Sequence, residues 1–113
     1  MQIRPPLSVA VALLIALLLG AIAGAQAAAT ITVSQHGLVF NQSALTLNKG
    51  DRTVFTNEDD VIHNIHIFGP GDREKDLGLQ KSGATLSYTF GQPGDYMVRC
   101  NIHPSMRMSV TVR

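Results

Sequence analysis

The sequence is poor in the residues that usually hold a small protein together: one cysteine, no tryptophan, and only four Phe and two Tyr in 113 residues. A single Cys, Cys100, excludes an internal disulfide framework, so the fold must rest on packing, with or without a metal. Excess charge of either sign is also absent, with nine Lys plus Arg against eight Asp plus Glu. A chain without a basic cluster is a poor electrostatic match for nucleic acid or an anionic lipid surface. There is no internal repeat, and past the first residues no long apolar run.

That one long run is at the start. Met1 to Ala27 contains a single charged residue, Arg4, followed by an apolar stretch and the small residues Ala25-Gln26-Ala27. A positive start, an apolar middle and a small-residue cleavage site are the layout of a secretory signal. The sequence therefore predicts a helical signal segment over 1–27, cleaved after Ala27 with Ala29 as the alternative, and a mature domain over 28–113. An uncleaved segment, close to the ~20 residues that span a bilayer, would instead anchor the domain to a membrane. Either way the domain matures in the periplasm or is otherwise exported, and without the signal its formal charge is zero.

The mature chain reads as strands. Thr30–Val33, Leu38–Phe40, Leu45–Leu47, Arg52–Thr56, Val61–Phe68, Ala84–Phe90, Asp95–Cys100 and Met108–Val112 are short apolar or β-branched runs separated by turns such as Asn48-Lys49-Gly50-Asp51 and Gly91-Gln92-Pro93-Gly94. Gly69–Gly83, charged and rich in glycine, is expected to be irregular or briefly helical. Seven to eight short strands in under about ninety residues indicate an all-β Greek-key sandwich or small barrel.

Alternation assigns faces. Tyr96, Val98 and Cys100 share one side of their strand, so Cys100 ends an inward row. His63 falls with Val61, Ile65 and Ile67, whereas His66 falls with Ile62, Asn64 and Phe68, so without a bulge the two imidazoles face opposite ways. The segment Cys100-Asn101-Ile102-His103-Pro104-Ser105-Met106 sets a thiolate, an imidazole and a thioether three residues apart on a turn. This mixed soft and borderline donor set suits copper in both of its common oxidation states. One imidazole from another strand, most naturally His63, completes a Cys-His-His site with a weak axial Met.

With these residues the chain resembles the cupredoxins of plastocyanin and amicyanin type, across nearly all of the mature part. Phe40, Lys49-Gly50-Asp51, Val54, Asn57, His63-Asn64, Pro93-Gly94-Asp95-Tyr96, the CysxxHisxxMet segment and Val110-Thr111-Val112 follow that family's order and approximate spacing. The resemblance implies one type 1 copper per chain, ligated by His63, Cys100, His103 and Met106, with Asn64 supporting the cysteine from behind. Met108 competes with Met106 for the axial position. The final valine-rich strand, however, begins four residues after the ligand Met in the family, as Val110 does after Met106. Ile62, where the family commonly has Pro, and the displaced aromatic Phe55 are departures that touch no ligand.

A copper held by Cys and two His with a weak Met has no strong position left for substrate, which favours outer-sphere electron transfer between redox partner proteins. The electron is expected to pass through His103, with Pro104, Ser105 and Leu38 in the docking patch and the domain acting as a monomer. The alternative is a periplasmic copper trafficking or storage protein using the same ligands. An enzyme with Cys100 as nucleophile and His103 as base lacks any accompanying oxyanion-hole or orienting signal, so no enzymatic activity is expected. His36, His66 and the acidic run Glu58-Asp59-Asp60 are read as structural or surface features, the last as a solvated turn.

Overall fold

A computed structural model describes residues 27–113. The signal segment expected over 1–27 therefore lies, apart from Ala27, outside the described residues. Among the described residues, nine strands form two facing sheets. The first sheet has the order β2-β1-β4-β7, comprising β1 (Thr30–His36), β2 (Val39–Phe40), β4 (Arg52–Asn57) and β7 (Thr85–Thr89). The second has the order β3-β9-β8-β5-β6, comprising β3 (Ala44–Leu47), β5 (His63–Phe68), β6 (Glu74–Gln80), β8 (Gly94–Arg99) and β9 (Arg107–Val112). Two pairs, β1 with β4 and β3 with β9, are parallel, and the rest are antiparallel. Strands that alternate between sheets in this way make the expected all-β Greek-key sandwich.

Alternation in the sequence becomes the wall of the core. Along β8 and β9, Tyr96, Val98, Met108, Val110 and Val112 turn inward while Met97, Arg99, Arg107, Ser109 and Thr111 turn out. From the facing sheet Val33 and Phe55 complete the layer, and Phe90 packs edge-on against Tyr96 with ring centroids 5.1 Å apart. Tyr96 is buried because its hydroxyl has a partner: it donates to the Gln92 carbonyl at 2.7 Å. Gly94, which begins β8 at φ +140°, leaves no room for a side chain, because an added Cβ would run into the Pro70 ring.

The expectation for Gly69–Gly83 is corrected. Glu74–Gln80 is a full strand, paired antiparallel with β5. It was hidden by what an edge strand needs: outward charges at Glu74, Lys75 and Asp76, and a bulge that puts Leu77 out of register between Ile65 and His66. Gly78, at φ +94°, takes up the backbone kink beside that bulge.

Where the sheets close on each other at one end, polar side chains rather than apolar ones bridge them. Gln35 of β1 donates to Gln80 of β6 at 2.6 Å, and Gln80 in turn donates to the Phe55 and Ala84 carbonyls, each at 2.8 Å. Asn57, ending β4, donates to the Val61 and Gln80 carbonyls at 2.8 and 2.9 Å. Buried amides of this kind are stable only when paired, and these pairs fix the spacing of the sheets beside the loops that follow β4, β6 and β8. The ends of β1, β4, β6 and β8 and the starts of β5, β7 and β9 all lie at this end.

Candidate metal centre

Cys100 continues the inward row of β8 and is fully buried. The chain then folds back over it: the Met106 N–H donates to the His103 carbonyl at 2.9 Å, and the Cys100 N–H donates to the Met106 carbonyl at 3.1 Å. These two bonds bring His103 and Met106 into one tight loop above the thiol. His63 arrives from the first position of β5, its ring fully buried on the inner side with Ile65 and Ile67.

The Nδ1 atoms of His63 and His103 are 3.2 Å apart, and they lie 3.9 and 3.8 Å from the Cys100 sulfur. Among the described residues this is the group of Cys, His, Asp or Glu donors close enough together to share one ion. The triangle has a chemical meaning. A point in its plane about 2.0 Å from each nitrogen falls about 2.3 Å from the sulfur, which are ordinary metal–imidazole and metal–thiolate lengths. The residues thus fit a single ion that two imidazoles and a thiolate would hold, a mixed soft and borderline donor set that suits copper.

Asn64 supports the sulfur from the strand side. Its backbone N–H lies 3.4 Å from Cys100 Sγ, its side-chain oxygen accepts from the Asn101 N–H at 2.7 Å, and its amide nitrogen donates to Asp76 at 2.8 Å. Met106 is buried to 1% exposure within the loop, and Met108 is equally buried, but opposite Val98 in the β9 core row.

The other histidines are separated from this group. His36 is exposed on the rim. His66 sits on the opposite side of β5 from His63, where Glu74 and Asn101 bond its two ring nitrogens at 2.5 and 2.7 Å and Phe68 stacks on it. The bulge lies in β6, so β5 keeps its alternation and His66 stays out of the centre.

The acidic run before His63 is not simply a solvated turn, as the sequence suggested. Glu58 and Asp60 are exposed, but the Asp59 side chain is only 11% exposed and its carboxylate lies 2.7 Å from His63 Nε2. Burial pushes this carboxyl up, and the hydrogen bonds from His63, Leu38 and Gly37 outweigh it, leaving it below the usual carboxylate range. Its place in the run gives no sequence signal apart from the four-residue spacing to His63. The buried Gln35 and Gln80, which brace this end of the sandwich, were equally silent, because nothing in their neighbours marks an inward glutamine.

A family profile for copper-binding proteins of the plastocyanin/azurin family matches residues 27–113. The chain belongs to that family. Among the relatives of this cupredoxin, the methylamine utilization protein MauL of Methylorubrum extorquens is 29% identical over 86 residues, covering 76% of this chain and 75% of MauL. Amicyanin-alpha of the same organism is 31% identical over 75 residues, covering 65% of this chain and 63% of amicyanin-alpha. In three dimensions the cupredoxin superposes on a reduced, copper(I) amicyanin variant with a TM-score of 0.68 at 27% identity, covering 80% of this chain and 88% of that one. An oxidized amicyanin variant gives 0.67 at 26% identity over the same shares. Copper is therefore the cofactor of this fold and of this donor set, and electron transfer at a copper site is the activity that membership implies.

Proposed function

We propose that this cupredoxin is an exported carrier of single electrons between redox partner proteins, through one type 1 copper ligated by His63, Cys100 and His103, with Met106 as the weak axial ligand. The observation that supports the reading is the convergence of two imidazole nitrogens and one cysteine sulfur at 3.2, 3.8 and 3.9 Å. When bound, the copper supplies a one-electron couple. The chain's own residues do the rest: two imidazoles and a thiolate, a mixed soft and borderline set, would hold the ion in both oxidation states.

They also control access. Cys100, His63 and Met106 are buried, while the His103 ring is only partly covered and is the donor nearest solvent. The loops around it present apolar side chains, Leu38 at 41% exposure, Val61 at 45%, Ile62 at 44% and Ile102 at 47%. Single exposed apolar residues are ordinary, but four on the three loops at one end suit a surface that a partner covers briefly. A donor set without an open position gives no place for substrate, which argues against enzymatic turnover at the copper.

The test is direct. The mature domain, prepared without metal and given one equivalent of Cu(II), should turn intensely blue through thiolate-to-copper charge transfer and show narrow copper hyperfine splitting. Cys100→Ser should abolish the band. A colourless wild-type protein holding stoichiometric copper would overturn the electron-carrier reading and favour storage or trafficking.

A further inference from the structure

We propose that His66, although outside the donor set, is a positioning residue for the turn that carries the Cys100 sulfur, and that it acts through the side chain of Asn101. The proposal rests on Cys100 as a copper ligand and concerns what holds the peptide beside it. The backbone ladder between β5 and β8 runs from Phe68–Met97 to His66–Arg99 and ends there. Cys100 and Asn101 are the next two residues, and beyond the ladder side chains take over the tie to β5. Two residues of β5 supply it. The Asn101 backbone N–H donates to Asn64 Oδ1, and the Asn101 amide nitrogen donates to His66 Nδ1, each at 2.7 Å.

His66 is set up to accept that second bond. An amide NH₂ only donates and an ionised carboxylate only accepts. Asn101 on Nδ1 and Glu74 at 2.5 Å from Nε2 therefore select the same tautomer, with the hydrogen on Nε2 and the lone pair on Nδ1. The ring is held in its plane as well. Phe68 stacks on it with centroids 4.2 Å apart, and the Arg99 guanidinium lies 4.3 Å over the Phe68 ring. The His66 side chain is only 11% exposed, whereas Asn101 is exposed, so the histidine is the fixed partner and the asparagine the held one.

Holding Asn101 by both its backbone and its side chain fixes the peptide that follows the sulfur. The Asn64 N–H, 3.4 Å from Cys100 Sγ, then keeps one distance from it. With the Asn101 side chain released, the turn would be tied to β5 from Asn64 alone, and the bond to sulfur would weaken. Groups that orient a ligand from outside the coordination set tune the metal that it binds.

The experiment compares wild type, His66→Phe, His66→Asn, Asn101→Ala and the double variant His66→Phe with Asn101→Ala, metal-free and with one equivalent of copper. In metal-free wild type in mildly alkaline solution, nitrogen NMR should find the His66 hydrogen on Nε2; a hydrogen on Nδ1 would overturn the proposal. His66→Phe keeps a ring against Phe68 and loses the acceptor. The Asn101 backbone amide should then lose protection from hydrogen exchange, and the copper protein should show a lower reduction potential and a shifted charge-transfer band. Asn101→Ala, at an exposed position where folding is not at risk, should do the same. The double variant should add nothing to either change, because both remove one interaction. His66→Asn, whose Oδ1 stands near the place of Nδ1, should restore much of the wild-type potential and band, which a packing role would not require. Wild-type potential and band in both His66→Phe and Asn101→Ala, with Cys100→Ser losing the band, would overturn this proposal alone. A colourless wild type holding stoichiometric copper would overturn the reading beneath it.

Discussion

The backbone N–H of Asn64 points at the Cys100 sulfur from 3.4 Å, across the junction of β5 and the loop after β8. With copper on Cys100, as proposed, the sulfur would carry more negative charge in the reduced state, so a donor aimed at it would favour that state and raise the potential. The side chain keeps that donor in place by bonding Asn101 and Asp76. Asn64→Ala should therefore lower the reduction potential. Loss of about 1 kcal/mol of preference for the reduced state corresponds to about 40 mV for a one-electron couple. Voltammetry of the two copper proteins measures it.

Met106 and Met108 are both buried, and the proposed function assigns Met106 alone to the copper. A weak thioether ligand would stabilise Cu(II) relative to a site without one, and its sulfur is what leucine lacks. Met106→Leu should raise the potential and alter the spectrum at a stability cost under about 1.5 kcal/mol. Met108→Leu should leave both as in wild type, whereas Met108→Ala, which empties a place in the row opposite Val98, should cost about 2–5 kcal/mol. Voltammetry and denaturant unfolding of the three variants separate ligand from core residue.

His103 is the partly covered donor, next to the exposed Ile102 and Pro104. His103→Gly should leave a copper site open to added imidazole, with slower electron self-exchange that imidazole restores only in part. Exchange kinetics equal to wild type without imidazole would sink the route through this ring.

Asp51 caps the turn before β4, accepting the Ala29 and Asn48 N–H groups at 2.9 Å each. Those bonds hold its carboxyl below the usual range. The unfolded chain then takes up the proton more readily than the folded one. Stability from this group is complete above the ordinary carboxylate value and is lost as pH falls through its lowered value. The gap in melting temperature between metal-free wild type and Asp51→Asn should be widest near neutrality and close in acid.

Much of the centre was legible because its chemistry is local. Cys100, His103 and Met106 lie within one seven-residue segment, and alternation in β8 by itself sends the cysteine inward. The opposite faces of His63 and His66 followed from the same two-residue period. Glu74–Gln80 was not legible, because an edge strand is marked by charge and a bulge rather than by an apolar rhythm.

The sequence alone determined the class of fold and the donor types, since side-chain period and ligand chemistry are properties of neighbouring residues. Tertiary structure decided the relations between distant ones. Only folding sets the two imidazole nitrogens 3.2 Å apart across forty residues, distinguishes Asp59 from the two exposed acids beside it, and pairs Gln35 with Gln80 in a buried seam. Those choices depend on which strand ends share one end of the sandwich, where the assembled sheets give the buried amide N–H groups of Gln35 and Gln80 their acceptors.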